Sequence, residues 1–369
     1  MILLSVTALY VYYRKPIKFS KHFIPFFSLS LIFVSVLISG INSEDFGVWI
    51  DFLRKKLPFL ILPFTFYILK DYFAIKYYKY VALFVWLIAL SSLIVLFQYL
   101  LNYESINKLI SRGQSIPTPI DHIKYSIYVA FSGIASMILY YRSSFVFYPK
   151  EKIFYLIISV FLFIFIHILA VRSGIAVFYA SVFLLGLVFY IKKRKYKSLL
   201  LFLAALIVIP FIAYKSIPSL HRKVSYMNYD LNKYLKGEGA QYSDSERIYS
   251  YKVGWQLFKE NKLLGTGISD LKAECQKKFK TVYGLELDKY PHNQYLYTLA
   301  GMGLIGLIFL LLSTVYPLFH FRNNADVIFL VFNCIILVSF LVENTLERSY
   351  STGFYLFFIL SGLCFQSKK

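Results

Sequence analysis

The sequence is poor in charged residues. Only 16% of its 369 residues are Asp, Glu, Lys or Arg, whereas a soluble globular domain has about 25%. Hydrophobic residues make up 58% of the chain and occur in blocks, such as YVALFVWLIALSSLIVLFQYLL (80–101). Such blocks are typical of transmembrane helices, because the apolar core of a bilayer is about 30 Å thick. The composition excludes an ordinary soluble domain and predicts an all-α polytopic membrane protein.

Cysteine is scarce as well, with three residues in the whole chain. Cys275 lies in a long polar segment, and Cys334 and Cys364 lie in apolar runs. A single cysteine in the polar segment cannot form a disulfide within that segment, and no Cys or His spacing is typical of a metal site. An Asp-x-Asp motif is also missing. We therefore expect a protein that needs neither a disulfide framework nor a cofactor.

The apolar blocks predict about eleven to twelve transmembrane helices. The candidate crossings that we count are 1–13, 22–41, 57–69, 80–101, 123–141, 153–170, 174–191, 198–214, 295–318, 327–342 and 353–365. The first, third and last of these are short for a membrane span.

Acidic residues are few, and the excess of basic residues indicates the orientation of the chain. The 40 Lys and Arg against 19 Asp and Glu give a net charge of +21, which resembles the charge of a nucleic-acid-binding protein. However, 18 basic residues fall in one set of alternate short loops and tails, and 7 fall in the other. The positive-inside rule then places KKRKYK (192–197) in the cytoplasm and the long segment 215–290 outside. The charge is explained by membrane topology, and we expect no nucleic-acid partner.

The order of these features predicts three regions. Residues 1–214 form an N-terminal bundle of about eight transmembrane helices, and residues 291–369 add about three more. The large external loop 215–290 between them is predicted to contain helices near 244–262 and 269–282. Ser243 and Glu246 have the spacing of a capping box at the start of the first helix.

Two arginines in the outer regions are candidates for binding an anion. Arg172 stands between two apolar runs in ILAVRSGIAVF, where RSG is predicted to form a tight turn. Burying an unpaired guanidinium is costly, so Arg172 should face an anion, or a carboxylate such as Glu343 or Glu347, or extend to the interface. Arg247 lies in the first turns of the predicted external helix, and Tyr251 and Trp255 follow it on the same face at i+4 and i+8. A lone surface arginine of this kind is more often structural.

A histidine stands at the start of the apolar run in KYPHNQYLYTLAGMGLIGLIFL (289–310). Asn293 can cap the helix that begins at Gln294, and the imidazole of His292 can exchange a proton near pH 7. The motif GMGLIG (301–306) matches G-x-G-x-x-G, but a dinucleotide site requires a preceding strand. Its glycines are therefore interpreted as points of close helix packing. His122, in TPIDHIKY, is a second external candidate.

Together these motifs resemble the O-antigen ligase family, whose signature region is shared with O-antigen polymerases. The resemblance rests on RSG after a membrane helix, on ERIYSYKVGWQLFKENKLLGTG in the long loop and on PHNQYLYTLAGMGLIGL. The stretch SRGQSIP followed by DHIKY (111–125) is a weaker upstream motif. The specific part covers residues from about 170 to 312.

The resemblance implies a function and a fold. It implies a GT-C-like helical glycosyltransferase, metal-independent and inverting, in the bacterial inner membrane with its large loop in the periplasm. The donor would be a glycan linked to undecaprenyl pyrophosphate, and the acceptor the lipid A–core saccharide or another glycan. By motif, Arg172, Arg247 and His292 correspond to the essential residues of the family. Substrate-binding candidates are Asn293, Arg112, His122, Tyr251, Trp255 and Glu343.

Independent chemistry favours the same roles. A pyrophosphate leaving group needs cationic compensation, which the arginine fork supplies, and an acceptor hydroxyl needs a general base, which His292 can be. The nearest alternative is an O-antigen or exopolysaccharide polymerase, which uses a similar donor. A flippase or transporter of lipid-linked glycans is a further alternative. Such proteins place charges at the bilayer midplane, whereas the polar residues here cluster at one face.

Overall fold

The computed structural model describes residues 2–14, 20–142, 145–148, 150–238, 242–322 and 324–368. Every regular element in these residues is a helix. The α-helices are α1 (Ile2–Arg14), α2 (Ile24–Ser28), α3 (Leu31–Ser39), α4 (Phe46–Ile68), α5 (Lys70–Leu101), α6 (Tyr103–Ile110), α7 (His122–Tyr141), α8 (Glu151–Leu169), α9 (Arg172–Lys192), α10 (Tyr196–Ser216), α11 (Pro218–Leu235), α12 (Ser243–Glu260), α13 (Leu271–Tyr283), α14 (Gln294–His320), α15 (Val327–Val342) and α16 (Ser349–Lys368). Short 3₁₀ helices cover Lys21–Phe23, Gly40–Asn42 and Thr345–Glu347.

Six helices in the described part of the chain are long and apolar enough to cross a membrane, namely α5, α7, α8, α9, α10 and α14. A seventh span results if Lys21–Ser28 and Leu31–Asn42, which meet at a 45° bend, count together. The prediction of an all-α polytopic membrane protein is confirmed.

The number of long apolar helices is nevertheless smaller than the eleven to twelve crossings predicted. α1 and α15 have 13 and 16 residues, and both are shorter than the usual span of about 20 residues. The predicted segment 57–69 is the second half of α4, whose first half carries Arg54, Lys55 and Lys56. The segment 353–365 lies within α16. Crossings at these four places stay predictions.

The described chain forms two compact units. The first consists of Met1–Tyr77, Glu246–Asn333 and Phe340–Lys369, and the second of Tyr78–Ser245 and Cys334–Ser339. In the first unit, apolar side chains of α12, α13 and α14 form one buried cluster with residues of α3 and α4. The cluster includes Leu257 of α12 and Leu271 and Phe279 of α13. In the second unit, α7 packs against α8 and α9.

The described residues of the segment 215–290 form three helices, α11, α12 and α13, and the first of them was not predicted. The start of α12, where the Ser243–Glu246 spacing predicted a capping box, is capped by a residue of α11. The buried carboxylate of Asp230 accepts hydrogen bonds from the backbone N–H of Asp244 (2.8 Å) and Ser245 (3.3 Å) and from the Ser245 hydroxyl (2.6 Å). This buried acceptor fixes the first turn of α12.

Helix α14 is broken at Gly303, whose backbone has φ 64° and ψ −162°. The freed N–H groups donate to a loop of the same unit: Leu304 N to Lys262 O (2.9 Å) and Ile305 N to Leu263 O (3.3 Å). In return, Thr266 N donates to Ala300 O (2.9 Å). Non-helical backbone within an apolar helix persists only where the protein satisfies its polar groups, and the loop 262–266 provides that here.

Candidate functional site

In the first unit, α12 holds the Pro-His-Asn turn that precedes α14. The backbone N–H of His292 donates to Ser250 Oγ (3.3 Å), and the hydroxyl of Tyr251 donates to the carbonyl of His292 (3.0 Å). Gly254 permits the contact, since a Cβ there would lie 2.9 Å from Pro291 Cγ. The backbone on both sides of the imidazole is therefore fixed.

The imidazole of His292 points a ring nitrogen at a buried carboxylate. Nδ1 of His292 lies 3.6 Å from Oε2 of Glu343, and the side chains are 25% and 6% exposed. This separation is longer than a hydrogen bond, and Nδ1 is buried with no hydrogen-bond partner in the part of the chain that the structure describes. A shift of a few tenths of an ångström would close the pair. The arrangement places a carboxylate next to one ring nitrogen of the imidazole.

The turn that carries Glu343 is tied to the start of α14. Asn293 caps α14 as predicted, accepting from Leu296 N (3.0 Å), and its amide also donates to Leu341 O (3.0 Å). Gln294 donates to Glu347 Oε1 (3.1 Å) and accepts from Leu346 N (2.9 Å). Both ends of the segment around Glu343 are thus held by the two side chains that follow His292 in the sequence, Asn293 and Gln294.

A buried ion pair supports the same segment. Lys56, from α4, lies 3.1 Å from Glu347 Oε1 and donates to the carbonyl of Leu346 (2.7 Å). Lys56 is buried, and removal of one member of a buried pair leaves an uncompensated charge. Lys56 was not predicted from the sequence, because its partner lies 291 positions away. In the sequence, Lys56 is the last residue of the basic run RKK (54–56), and nothing local distinguishes it from the other two.

Arg247 and Tyr251, both on α12, lie near the carboxylate of Glu343. Burial raises the pKa of the Tyr251 hydroxyl, the Arg247 guanidinium opposes that rise, and the Glu343 carboxylate adds to it. Arg247 and Glu343 are therefore both within electrostatic range of the Tyr251 hydroxyl. Trp255, one turn further along α12, is 48% exposed and stands beside Phe258, with ring centroids 5.3 Å apart. The first unit thus contains Arg247, Tyr251, Trp255, His292, Asn293 and Glu343.

In the second unit, Arg172 begins α9 rather than lying in a tight turn as predicted. The turn lies two residues before Arg172, where Ala170 has φ 53°. Gly174 lets α9 approach α7, because a Cβ there would lie 2.3 Å from Ser126. The guanidinium, about one quarter exposed, forms an ion pair with Asp244. Asp244 was not among the carboxylates considered from the sequence.

The two remaining candidates also belong to the second unit. Arg112 lies in the loop after α6 and is exposed. His122 is the first residue of α7, directly after Asp121, whose carboxylate caps the helix through Ile123 N and Lys124 N (both 3.1 Å). Among the described residues, no group of three or more His, Cys, Asp or Glu side chains could hold a metal ion.

Comparison with known proteins agrees with the motifs. The family model described as O-Antigen ligase matches residues 157–311. This range includes Arg172, Arg247 and His292, and it ends before Glu343. A search of curated proteins finds no match for the chain. The family match confirms the resemblance over this range and supports assigning the chain to the ligase and polymerase superfamily.

Proposed function

We propose, from the assignment to the O-antigen ligase family, that this multi-pass membrane protein is an O-antigen ligase-like glycosyltransferase. It would move a glycan from undecaprenyl pyrophosphate to a hydroxyl of a lipid A–core saccharide at the periplasmic face of the inner membrane. The observation that carries the proposal is the pairing of His292 with the buried Glu343 at the start of α14. A base next to a compensating carboxylate is what removal of a hydroxyl proton requires.

His292 acts as the general base in this proposal. Because Nδ1 faces Glu343, Nε2 is the nitrogen that takes the proton of the acceptor hydroxyl. The acceptor oxygen then forms a bond to the anomeric carbon of the donor sugar, and the bond from that carbon to the phosphate oxygen breaks. The acceptor attacks opposite the leaving group, so the configuration inverts.

Arg172 and Arg247 act on the leaving group. The electron pair of the broken bond moves to the diphosphate, which gains negative charge in the transition state. A guanidinium supplies permanent positive charge and a donor fork that fits phosphate oxygens. Preorganised charge of this kind lowers the barrier because it stabilises the charge that develops on the diphosphate as the bond breaks. Arg172 keeps donors beyond those that its ion pair with Asp244 uses, because the guanidinium has five.

The proposal is tested with the purified full chain in lipid nanodiscs and an undecaprenyl-pyrophosphate-linked glycan as donor. One arm supplies lipid A–core as acceptor, and the other supplies a second lipid-linked glycan. We expect transfer to lipid A–core; chain growth on the lipid-linked glycan instead would identify a polymerase. Transfer to neither acceptor would contradict both assignments.

His292→Ala tests the role of the base in the same assay. Transfer should fall by roughly 10²–10⁴-fold, the usual contribution of a general base, while expression and membrane insertion stay normal. His320→Ala, at the other end of α14, is the matched control and should keep full activity. Normal transfer by a correctly inserted His292→Ala protein would remove His292 from the mechanism.

A further inference from the structure

The second unit contains a cavity of about 700 Å³ that the proposed chemistry does not use. It opens between the loop after α6, helix α11 and the residue that precedes α12. Its described lining residues are Ser111, Arg112, His221, Arg222, Ser225, Tyr226, Tyr229 and Tyr242. None of these is Asp or Glu, so the lining is positively charged. The volume is in the range of small-molecule sites, about 300–1,000 Å³.

The arginine side of the cavity is held in place by hydrogen bonds. Lys223, a buried residue of α11, donates to the carbonyls of Gly113 (2.7 Å) and Gln114 (2.9 Å). Arg222 also donates to Ser111 Oγ (3.2 Å). These bonds fix the loop that carries Arg112 against α11. A solvated basic surface would not need such support.

Three of the described lining residues of the cavity are tyrosines. Tyr226 and Tyr229 lie on one face of α11 with ring centroids 6.5 Å apart, and Tyr242 meets Tyr229 edge to face at 5.6 Å. Gly113, with φ 90°, lets the loop contact Tyr226, since a Cβ there would lie 2.5 Å from its ring. Tyrosine offers a large apolar face and a polar tip, which suits the alternating faces and hydroxyls of a sugar ring.

Tyr226 connects this cavity to Arg172 within the same unit. The pKa of the Tyr226 hydroxyl is raised, first by burial and then by the charges of Asp230, Tyr242 and Asp244, and Arg172 lowers it. Arg172 is therefore within electrostatic range of the cavity wall.

We propose that this arginine–tyrosine cavity binds a saccharide that carries an anionic group, either a phosphate or a carboxylate. The guanidinium groups of Arg112 and Arg222 would bind the anion, and the rings of Tyr226, Tyr229 and Tyr242 would contact the sugar. The identification of this saccharide as part of a substrate glycan rests on the proposed function. The binding itself does not.

Binding is measured directly, without turnover, by calorimetry on the full chain in nanodiscs. The probes are maltotriose, maltotriose bearing a terminal phosphate and maltotriose with one terminal unit oxidised to a uronic acid. We expect at least one anionic probe to bind about 10-fold or more tightly than maltotriose, with affinity falling as salt rises. Equal binding of all three probes, or of none, would overturn the proposal. The phosphate and uronate arms show which anion the site prefers.

Variants assign the binding to this cavity. Arg222→Gln and Arg112→Gln should each weaken anionic-probe binding about 10-fold, and Tyr229→Ala should weaken it while Tyr229→Phe retains it. Arg54→Gln, an exposed arginine of the first unit, is the control and should bind as the wild type does. Unchanged binding in both cavity arginine variants would overturn the assignment. His292→Ala should bind normally, so failure of the proposed reaction and failure of this proposal are distinguishable.

Discussion

At the residue scale, Glu343 is the side chain whose role the structure sharpens most. The sequence suggested substrate binding or an ion pair with Arg172 for it, and the structure places its carboxylate 3.6 Å from His292 Nδ1. We expect Glu343→Gln to lower kcat with little change in KM, because the amide cannot compensate a protonated imidazole. The loss should be smaller than that of His292→Ala.

A double-mutant cycle in the same transfer assay checks the coupling of the pair. In the His292→Ala background, Glu343→Gln should cause little further loss, since both substitutions remove one function. Fully additive losses would show that Glu343 acts independently of His292.

Arg172 permits a second prediction at this scale. If its fork binds the diphosphate, Arg172→Lys should lower the transfer rate by roughly 10–150-fold, because lysine is a point charge without bidentate geometry and a charge-assisted hydrogen bond is worth about 1.5–3 kcal/mol. Lys192→Arg, at the far end of α9, serves as the control and should be silent.

The ion pair with Asp244 makes Asp244→Asn an informative companion. Should Arg172 serve only that pair, Asp244→Asn would reduce transfer as much as Arg172→Lys does. A correctly inserted Arg172→Lys protein with wild-type turnover would make Arg172 structural, and Arg112 would become the next candidate for the diphosphate.

At the element scale, the break in α14 shows where sequence reasoning stopped short. The interpretation of GMGLIG as close packing fits Gly301, where a Cβ would lie 3.0 Å from Ile268 and 3.1 Å from Leu271. At Gly303 the backbone itself leaves the helix. Hydropathy cannot show this, because an apolar run looks the same whether or not its hydrogen bonds continue.

Gly303→Ala should destabilise the protein more than a matched glycine substitution elsewhere. A Cβ at Gly303 would lie 2.2 Å from Leu263 O, whereas Gly284 has a similar φ of 66° and nothing within 4 Å. Gly284 has ψ 22°, in the left-handed helical region, whereas Gly303 has ψ −162°, in a region open almost only to glycine. Gly284→Ala therefore measures only the cost of a positive φ, and the overlap and the backbone conformation at Gly303 together should add about 1–3 kcal/mol. Apparent melting temperatures of the detergent-solubilised proteins measure the difference; equal melting temperatures would contradict the steric argument.

Other elements show how far local patterns reach. The cap of α14 by Asn293 could be predicted from the consecutive residues PHNQ (291–294), and it is present in the structure. The cap of α12 by Asp230 and the support of Glu347 by Lys56 join residues 14 and 291 positions apart. No local spacing contains such pairs. Sequence motifs could therefore identify the candidate site residues. They could not identify the side chains that hold those residues in position, because these come from distant parts of the chain.

At the scale of the whole molecule, the charge chemistry predicts independence from divalent metals. In the proposed mechanism, Arg172 and Arg247 neutralise the diphosphate, which is the role that a metal ion has in other enzymes. Among the described residues, no group of three or more His, Cys, Asp or Glu side chains could hold a metal ion. Transfer should therefore survive dialysis against EDTA at the wild-type rate. Loss of activity that Mg²⁺ or Mn²⁺ restores would show that the arginines do not replace a metal.

The break in α14 also has a consequence for biogenesis. While α14 is inserted, the N–H groups of Leu304 and Ile305 can be satisfied only by a continuous helix, since an unpaired amide in lipid costs several kcal/mol. Their final acceptors are Lys262 O and Leu263 O, so we expect α14 to reach its bent form only once the loop 262–266 has folded against it. We therefore expect maturation of this span to depend on the loop 262–266, which is synthesised before it, and a misfolded loop to leave α14 straight in the bilayer.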